Sequence, residues 1–313
     1  MILDPNKQTN LYAHINTFEY FIKLNKLNKL PNRILFSGPK GIGKCTFAYH
    51  FINYVLSVNE DSPYDYKNKI IDSNNKSFNL IKNLSHPNFF LIDIKENKNF
   101  IDISQVRSMI SYANKSNFNN NKRFILIDNL EYLNLSSANA LLKIIEEPNE
   151  NIYFILVHDS YKKIYETLKS RCLFFKFLLS HKESIQVTSS ILETNINDAI
   201  HSDLINYYFT PGHYLNLFNF ARKFKIDLTK YDLKSFLMLL VNENYFKKDD
   251  KSKDIFFIYL HLYFNKIFYN NSHSKKYYSL YFKYLKKIND IYKYNLDFDS
   301  FLIEIKSKIL YEK

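Results

Sequence analysis

The chain has 313 residues, 46% hydrophobic and 17% aromatic, a length that suits two or three domains and a composition that supports a buried core and excludes a disordered protein. Its formal charge of +12 suits a partner that carries phosphates, but Lys far outnumbers Arg and no dense basic run stands out, so a solvated lysine surface is at least as good a reading. Two separated cysteines, Cys45 and Cys172, exclude a disulfide framework and fit a reducing, cytoplasmic setting. The start, "MILDPNKQTN", lacks a basic segment followed by an apolar one. The most apolar run, "DIFFIYLHLYFNKIFY", is broken by His261, Asn265 and Lys266 before it reaches membrane-spanning length.

The first strong element is the run Ile34-Leu35-Phe36, followed directly by "SGPKGIGKCTFAYHF". Three of the four glycines of the chain lie here, and Gly38 to Lys44 fits G-x-x-x-x-G-K between a strand and an apolar helix pattern, Phe47, Ala48, Phe51, Ile52 and Val55. Glycines let backbone N–H groups turn inward around phosphate oxygens, a helix N-terminus adds its dipole, and Lys44 supplies a point charge. Gly38, Gly41, Gly43, Lys44, Cys45 and Thr46 are therefore the candidate nucleotide-binding residues. Cys45 stands where such a loop normally offers a hydroxyl to magnesium; a thiol is a poor ligand for that ion, and Thr46 points elsewhere on the helix. Cys45 reads as a small, nearly isosteric filler. Weak binding of ATP or ADP is expected, with magnesium only alongside the nucleotide.

The segment 59–77, rich in Asn, Asp and Lys, reads as an insertion or a mobile excursion, and 116–122 and 270–274 read as further loops. "NFFLIDI", "RFILID", "IYFILVHD" and "CLFFKFLL" continue the series of short apolar runs begun by "RILFSG", and their two-sided apolarity predicts a parallel sheet with helices on both faces. Asp128, at the tip of "RFILID", is placed to hold a magnesium shell. The next residue is Asn129, and an amide cannot act as a general base; Glu131 reads as a solvated acid at a helix start. Beyond residue 180 helices are expected over 184–192, 215–224, 233–245, 254–268, 275–292 and 299–310. The apolar positions Tyr277, Tyr281, Tyr284, Leu285, Ile288 and Tyr292 recur at helical steps, as do Phe298, Phe301, Leu302, Ile305 and Ile309. They read first as core.

"SSANALLKIIEEP" at 136–148 and "SRC" at 170–172, with the glycine loop and "HPNFFLID" at 86–93, resemble clamp-loader subunits of bacterial DNA polymerase III, members of the AAA+ superfamily. The resemblance covers about residues 30–180 by motif and the remainder by helical layout. It implies a P-loop α/β parallel-sheet domain over 1–179, a small helical lid over 180–227, and an all-α collar domain over 228–313. It also implies that Arg171 is an arginine finger acting in trans on ATP held by a neighbouring subunit, and an Arg kept in so Lys-rich a chain fits forked contact with phosphate, or a bridge to a local carboxylate.

Departures from the family pattern are as informative. The zinc-binding cysteines of the family are absent, so zinc is not expected. The sensor position matches His158, read as a hydrogen-bonded surface residue, and the later Pro-Gly-Arg motif is Pro211-Gly212-His213. With the hydroxyl, the acidic pair, the sensor and the second arginine all altered, the resemblance implies a largely non-hydrolytic subunit of a five-membered ring that works with other loader subunits, the sliding clamp and primed DNA. The rival is a catalytically active ATPase subunit of the same loader.

Overall fold

The computed structural model describes residues 4–95, 98–115, 121–147, 149, 151–245, 250–270, 275–294 and 297–307. Two compact units emerge: Met1–Ile191 with Thr210–Gly212, and Leu192–Phe209 with His213–Lys313.

The first unit is built on five strands, β1 (Arg33–Gly38), β2 (Phe89–Ile92), β3 (Arg123–Ile127), β4 (Ile152–Asp159) and β5 (Leu173–Lys176), in the order β2-β3-β4-β1-β5 with every pair parallel. These are the five apolar runs of the sequence, trimmed at their ends. Alternate residues feed opposite faces, as the two-residue period of a strand requires. Ile34, Phe36, Phe124, Leu126, Ile155 and Val157 join one core with Phe18, Phe21, Phe47 and Phe51. Leu35, Ile125, Ile127, Phe154 and Leu156 join the other with Val106, Met109, Leu141 and Ile145. Helices α1 (Ile15–Lys26) and α2 (Lys44–Leu56) supply the first layer; α4 (Ile103–Ala113) and α5 (Leu135–Glu146) supply the second, with α3 (Lys76–Lys82), α6 (Glu166–Lys169) and α7 (His181–Leu192) between and after them. The edge strand β5 departs from the expectation of two covered faces: Leu173 and Phe174 are 51% and 44% exposed, because an edge strand has a neighbour on one side only.

The segment 59–77 is not an excursion. Tyr64, Ile71, Asn75 and Ser77 are buried, Leu11 N donates to Lys69 O and Ile71 N to Thr9 O, and α3 starts inside the stretch that composition marked as loop. Asn75 caps α3 by accepting from Phe78 N at 2.6 Å, and it also accepts from Asn53 Nδ2 at 2.8 Å and donates to Ser62 O at 2.7 Å. Side-chain amides as well as the buried Tyr64 and Ile71 hold this stretch down. The expected loop at 116–122 lies outside the described residues except for 121–122, and that at 270–274 except for 270.

The second unit is helical: α8 (Ile196–Ala199), α9 (Ser202–Ile205), α10 (Pro211–Phe224), α11 (Leu233–Asn242), α12 (Asp250–Asn270), α13 (Lys275–Tyr294) and α14 (Phe298–Ile305). α10 starts four residues before its expected Leu215, with proline at its first position, where the missing N–H costs nothing. Phe209, Tyr214, Phe236, Tyr259 and Leu260 are buried together near α11 and α12, and Tyr284, Phe301, Leu302 and Ile305 are buried on α13 and α14 as the aromatic periodicity required. Tyr277, Tyr292 and Ile309 have no described side chains. Among the described residues no helix is long and apolar enough to cross a membrane.

Candidate phosphate loop and arginine edge

β1 ends at Gly38 and α2 begins at Lys44, so the glycine loop bridges the C-terminal end of a central strand and a helix N-terminus. Gly41 and Gly43 have φ of +83° and +91°, a conformation that costs other residues strain. A Cβ at Gly38 would meet Phe177 O at 2.3 Å, so that position also admits only glycine.

Every carbonyl of the loop is taken by the chain itself. Gly38 O accepts from Ser160 N at 3.0 Å and from Lys44 Nζ at 2.8 Å, and Pro39 O accepts from Lys44 Nζ at 2.7 Å. Lys40 O accepts from Thr210 Oγ1 at 2.9 Å, Gly41 O from Gly212 N at 2.9 Å, Ile42 O from His14 Nε2 at 2.7 Å and Gly43 O from Phe47 N at 2.9 Å. Because a carbonyl only accepts, His14 must carry its proton on Nε2. The amides at 41–44, by contrast, donate to no described residue, and carbonyls tied outward with N–H groups left over is the arrangement that cradles an anion. The loop thus fits a nucleotide phosphate. Thr210 and His14 were not legible as parts of it; Pro211-Gly212 was singled out for its missing arginine, whereas its backbone turns out to brace Gly41.

Lys44 is buried, which pushes its ammonium below its ordinary range against the opposing pull of Asp159, Asp128 and Glu131. Cys45 lies close enough to Asp128 to feel its charge. Burial first, and the Asp128 charge second, hold the thiol well above its ordinary range, so it stays protonated. Asp128 is itself pushed up to about 6, by burial first and by the nearby Asp93 charge second. A protonated thiol and a carboxylate so easily neutralised make a donor set that does not fit magnesium, an ion that selects hard, charged oxygen. Thr46 makes no side-chain hydrogen bond to the described residues.

The residues around this pair are tied into structure. Asn129 sits in the left-handed region at φ 54°, donates its backbone N–H to Asp128 Oδ1 at 2.8 Å and its side-chain amide to Asp93 Oδ1 at 2.7 Å. Glu131, expected to be a solvated acid, is half-buried and accepts from Asp159 N at 3.1 Å, because its short 3-10 turn faces the end of β4. His158 is not a surface residue. It is 7% exposed, with Nδ1 at 3.1 Å from Ser37 Oγ on β1 and Nε2 at 2.8 Å from Lys162 O in the turn after β4, so both ring nitrogens are engaged.

Arg171 is not in this cluster. It precedes β5, whose Leu173 pairs with Ile34 at the start of β1, while the glycine loop leaves the other end of β1. At ~3.3 Å per residue the six residues of β1 separate the two places by about 17–20 Å. Arg171 lies at the surface, its side chain 36% exposed, with Nε donating to Glu146 Oε1 at 2.7 Å and Nη1 to Thr167 O at 2.9 Å. It does bridge a local carboxylate, the plainer of the two uses foreseen for it, and its exposed rim stays open to solvent.

A family model described as DNA polymerase III, delta subunit, matches residues 13–180, more than half of the chain. The chain belongs to that family. The delta-prime subunit of Buchnera aphidicola subsp. Schizaphis graminum is 29% identical over 172 residues, 55% of this chain and 50% of the relative. That of subsp. Baizongia pistaciae is 27% identical over 248 residues, 74% and 71% of the two chains. The chain thus spans about half the length of the first of these relatives. A gamma subunit of the Schizaphis strain is 42% identical over a short stretch of 67 residues, 21% of this chain and 18% of the relative. Among solved structures, a gamma subunit-related DNA polymerase III protein of Thermotoga maritima covers 91% of this chain and 96% of its own with a TM-score of 0.50 at 16% identity, a likeness of fold. The resemblance to DNA polymerase III clamp-loader subunits read from "SSANALLKIIEEP" and "SRC", and the α/β fold with its parallel sheet, are borne out.

Proposed function

We propose that this delta-family chain is a delta-prime-like clamp-loader subunit of the DNA polymerase III assembly, largely non-hydrolytic in its own right, that offers Arg171 to ATP held by a neighbouring subunit. Family membership supports the assembly. The observation that carries the division of labour is the sheet polarity: Arg171 and the chain's own glycine loop lie at opposite ends of the strands, so this arginine cannot serve this loop. In trans, a planar guanidinium stabilises charge building on a transferred phosphoryl group, the kind of contribution for which forked donors are suited.

The loop at Gly38, Gly41, Gly43 and Lys44 still offers amides and an ammonium, so ATP or ADP binds weakly. Water activation is another matter: Asn129 is no base, Glu131 is bound to Asp159 N, and His158 has no free nitrogen. These features weigh against the rival reading, an active gamma/tau-like ATPase. Partners in this reading are gamma/tau and delta subunits in a hetero-pentameric ring, with the sliding clamp and primed DNA reached through the complex. The three-part division at 179 and 227, with a lid and a collar, belongs to the same proposal.

The test is ATP turnover in two settings. Arg171→Ala folds and assembles, and turnover by the reconstituted loader drops by about 10²-fold or more, the scale of a lost charge-stabilising donor; unchanged turnover removes the assignment. The purified chain alone shows no magnesium-dependent hydrolysis above background, and robust hydrolysis abolished by Lys44→Ala restores the rival.

A further inference from the structure

The chain holds five arginines, and two of them, Arg33 and Arg171, line one open surface depression together with Pro31, Asn32 and Leu173. Both reach the C-terminal end of α5. Arg33 Nη1 donates to Ile145 O at 3.1 Å and to Glu146 O at 3.3 Å, and Arg171 Nε donates to the Glu146 carboxylate. Each guanidinium has five N–H donors. Among the described residues Arg33 spends only Nη1, and Arg171 only Nε and one N–H of Nη1, so Nε and Nη2 of the first and Nη2 of the second remain for an incoming acceptor.

We infer that Arg33 and Arg171 form one two-arginine cleft for a polyphosphate, the terminal phosphates of a nucleotide held by the adjoining subunit, and that Glu146 is the stand-in carboxylate that pairs with Arg171 until the phosphates displace it. The inference rests on the proposed trans role of Arg171 and adds to it a second cation and an intramolecular stand-in. Glu146 is 49% exposed and Arg171 36%, so their ion pair is weak and readily exchanged. A polyphosphate brings more negative charge than one carboxylate and can take forked bonds from both guanidinium planes. Arg33 is held independently of that exchange, because its grip is on backbone carbonyls at a helix end, where a cation is also favoured by the dipole. The cleft thus keeps one fixed fork and one that swaps partner.

The experiment uses the full chain carrying Lys44→Ala, so that the cleft rather than the glycine loop responds, titrated calorimetrically with sodium tripolyphosphate at low salt. Saturable binding is expected, weakened about tenfold or more by Arg33→Gln and by Arg171→Ala, as loss of charge-assisted hydrogen bonds requires. Gln keeps an N–H₂ for the α5 carbonyls, and circular dichroism melts check that the variants fold. Glu146→Gln, which removes the competing carboxylate, tightens binding about threefold. Affinity unchanged by Arg33→Gln overturns the inference, as does an oligothymidylate that binds more tightly than tripolyphosphate with the same arginine dependence. In the reconstituted loader Arg33→Gln is expected to lower kcat as Arg171→Ala does. A fall with Arg171→Ala alone overturns the shared cleft and leaves the finger standing. Tripolyphosphate binding with neither substitution changing turnover overturns the finger and with it the source of the phosphates, leaving an anion site without that partner.

Discussion

Cys45 sits beside Asp128 as a protonated thiol, where a Ser or Thr would offer a hard oxygen. That Cys45 lacks this oxygen was legible from the residue type; the burial that raises both groups was not. The pair has a measurable consequence. Asp128 holds its proton up to about pH 6 when folded and to 3.8 otherwise, so the folded state binds more protons between those values and stability falls as pH rises through that window. Asp128→Asn removes the penalty: a gain of about 1–2 kcal/mol at pH 7 is expected, discounted for partial exposure, and none below about pH 4, measured by urea denaturation at both values. Gly212 offers a second residue-scale check. A Cβ there would lie 2.6 Å from Gly41 Cα, so Gly212→Ala must displace the backbone brace and is expected to cost about 1–3 kcal/mol in thermal unfolding. The arginines teach caution about residue-type arguments. Scarcity of Arg pointed to forked contacts, and forks are found, but Arg123 uses both Nη atoms on Tyr112 O and Lys115 O at the end of α4, and Arg33 uses Nη1 alone on two carbonyls at the end of α5. Only Arg171 was singled out beforehand.

Elements whose cause is local were readable, and elements whose cause is distant were not. The five strands announce themselves because a central parallel strand is apolar on both faces, and β1, β3 and β4 are buried almost throughout. β5 shows the same apolar spelling, yet three of its four residues are exposed; its edge position follows from the crossover order, which no single run encodes. The 59–77 stretch fails in the opposite sense. Its Asn and Asp residues suggested solvent, whereas Asn75 is fully buried because each of its polar atoms has a partner. Asn75→Ala would strand the Asn53 amide, the Phe78 N–H and the Ser62 carbonyl at once. A loss of about 2–4 kcal/mol is expected by urea denaturation, with faster proteolytic cutting between 59 and 75; a change under about 0.5 kcal/mol would mean the amide cluster does not hold the segment.

At the scale of the molecule, composition foretold a cored protein and the alternation of strand and helix up to residue 179 foretold the sheet, while the helical remainder was legible as helices but not as a division into parts. Two units result, and the reason is chemical bias: with aromatics so frequent, nearly every helix of the second unit has an apolar stripe, and stripes alone do not say which helices pair. The charge of +12 stays a property of the surface until a partner is tested. The whole-molecule prediction is an assembly one. Native mass spectrometry of this chain mixed with gamma/tau-like and delta-like subunits is expected to give a five-subunit species that disappears when this chain is omitted, and a pentamer formed without it would exclude it from the ring.

The polarity of the parallel sheet carries a consequence for any such assembly. In the reading proposed above, the glycine loop faces one neighbour and Arg171, at the other end of the strands, faces another, so the contacts on the two sides of the chain in a ring are heterologous and have a direction. In that reading the loop end does not fire and the arginine end does, which makes the chain a place where a circuit begins rather than one through which it passes, and gives a ring with a single copy a fixed starting point.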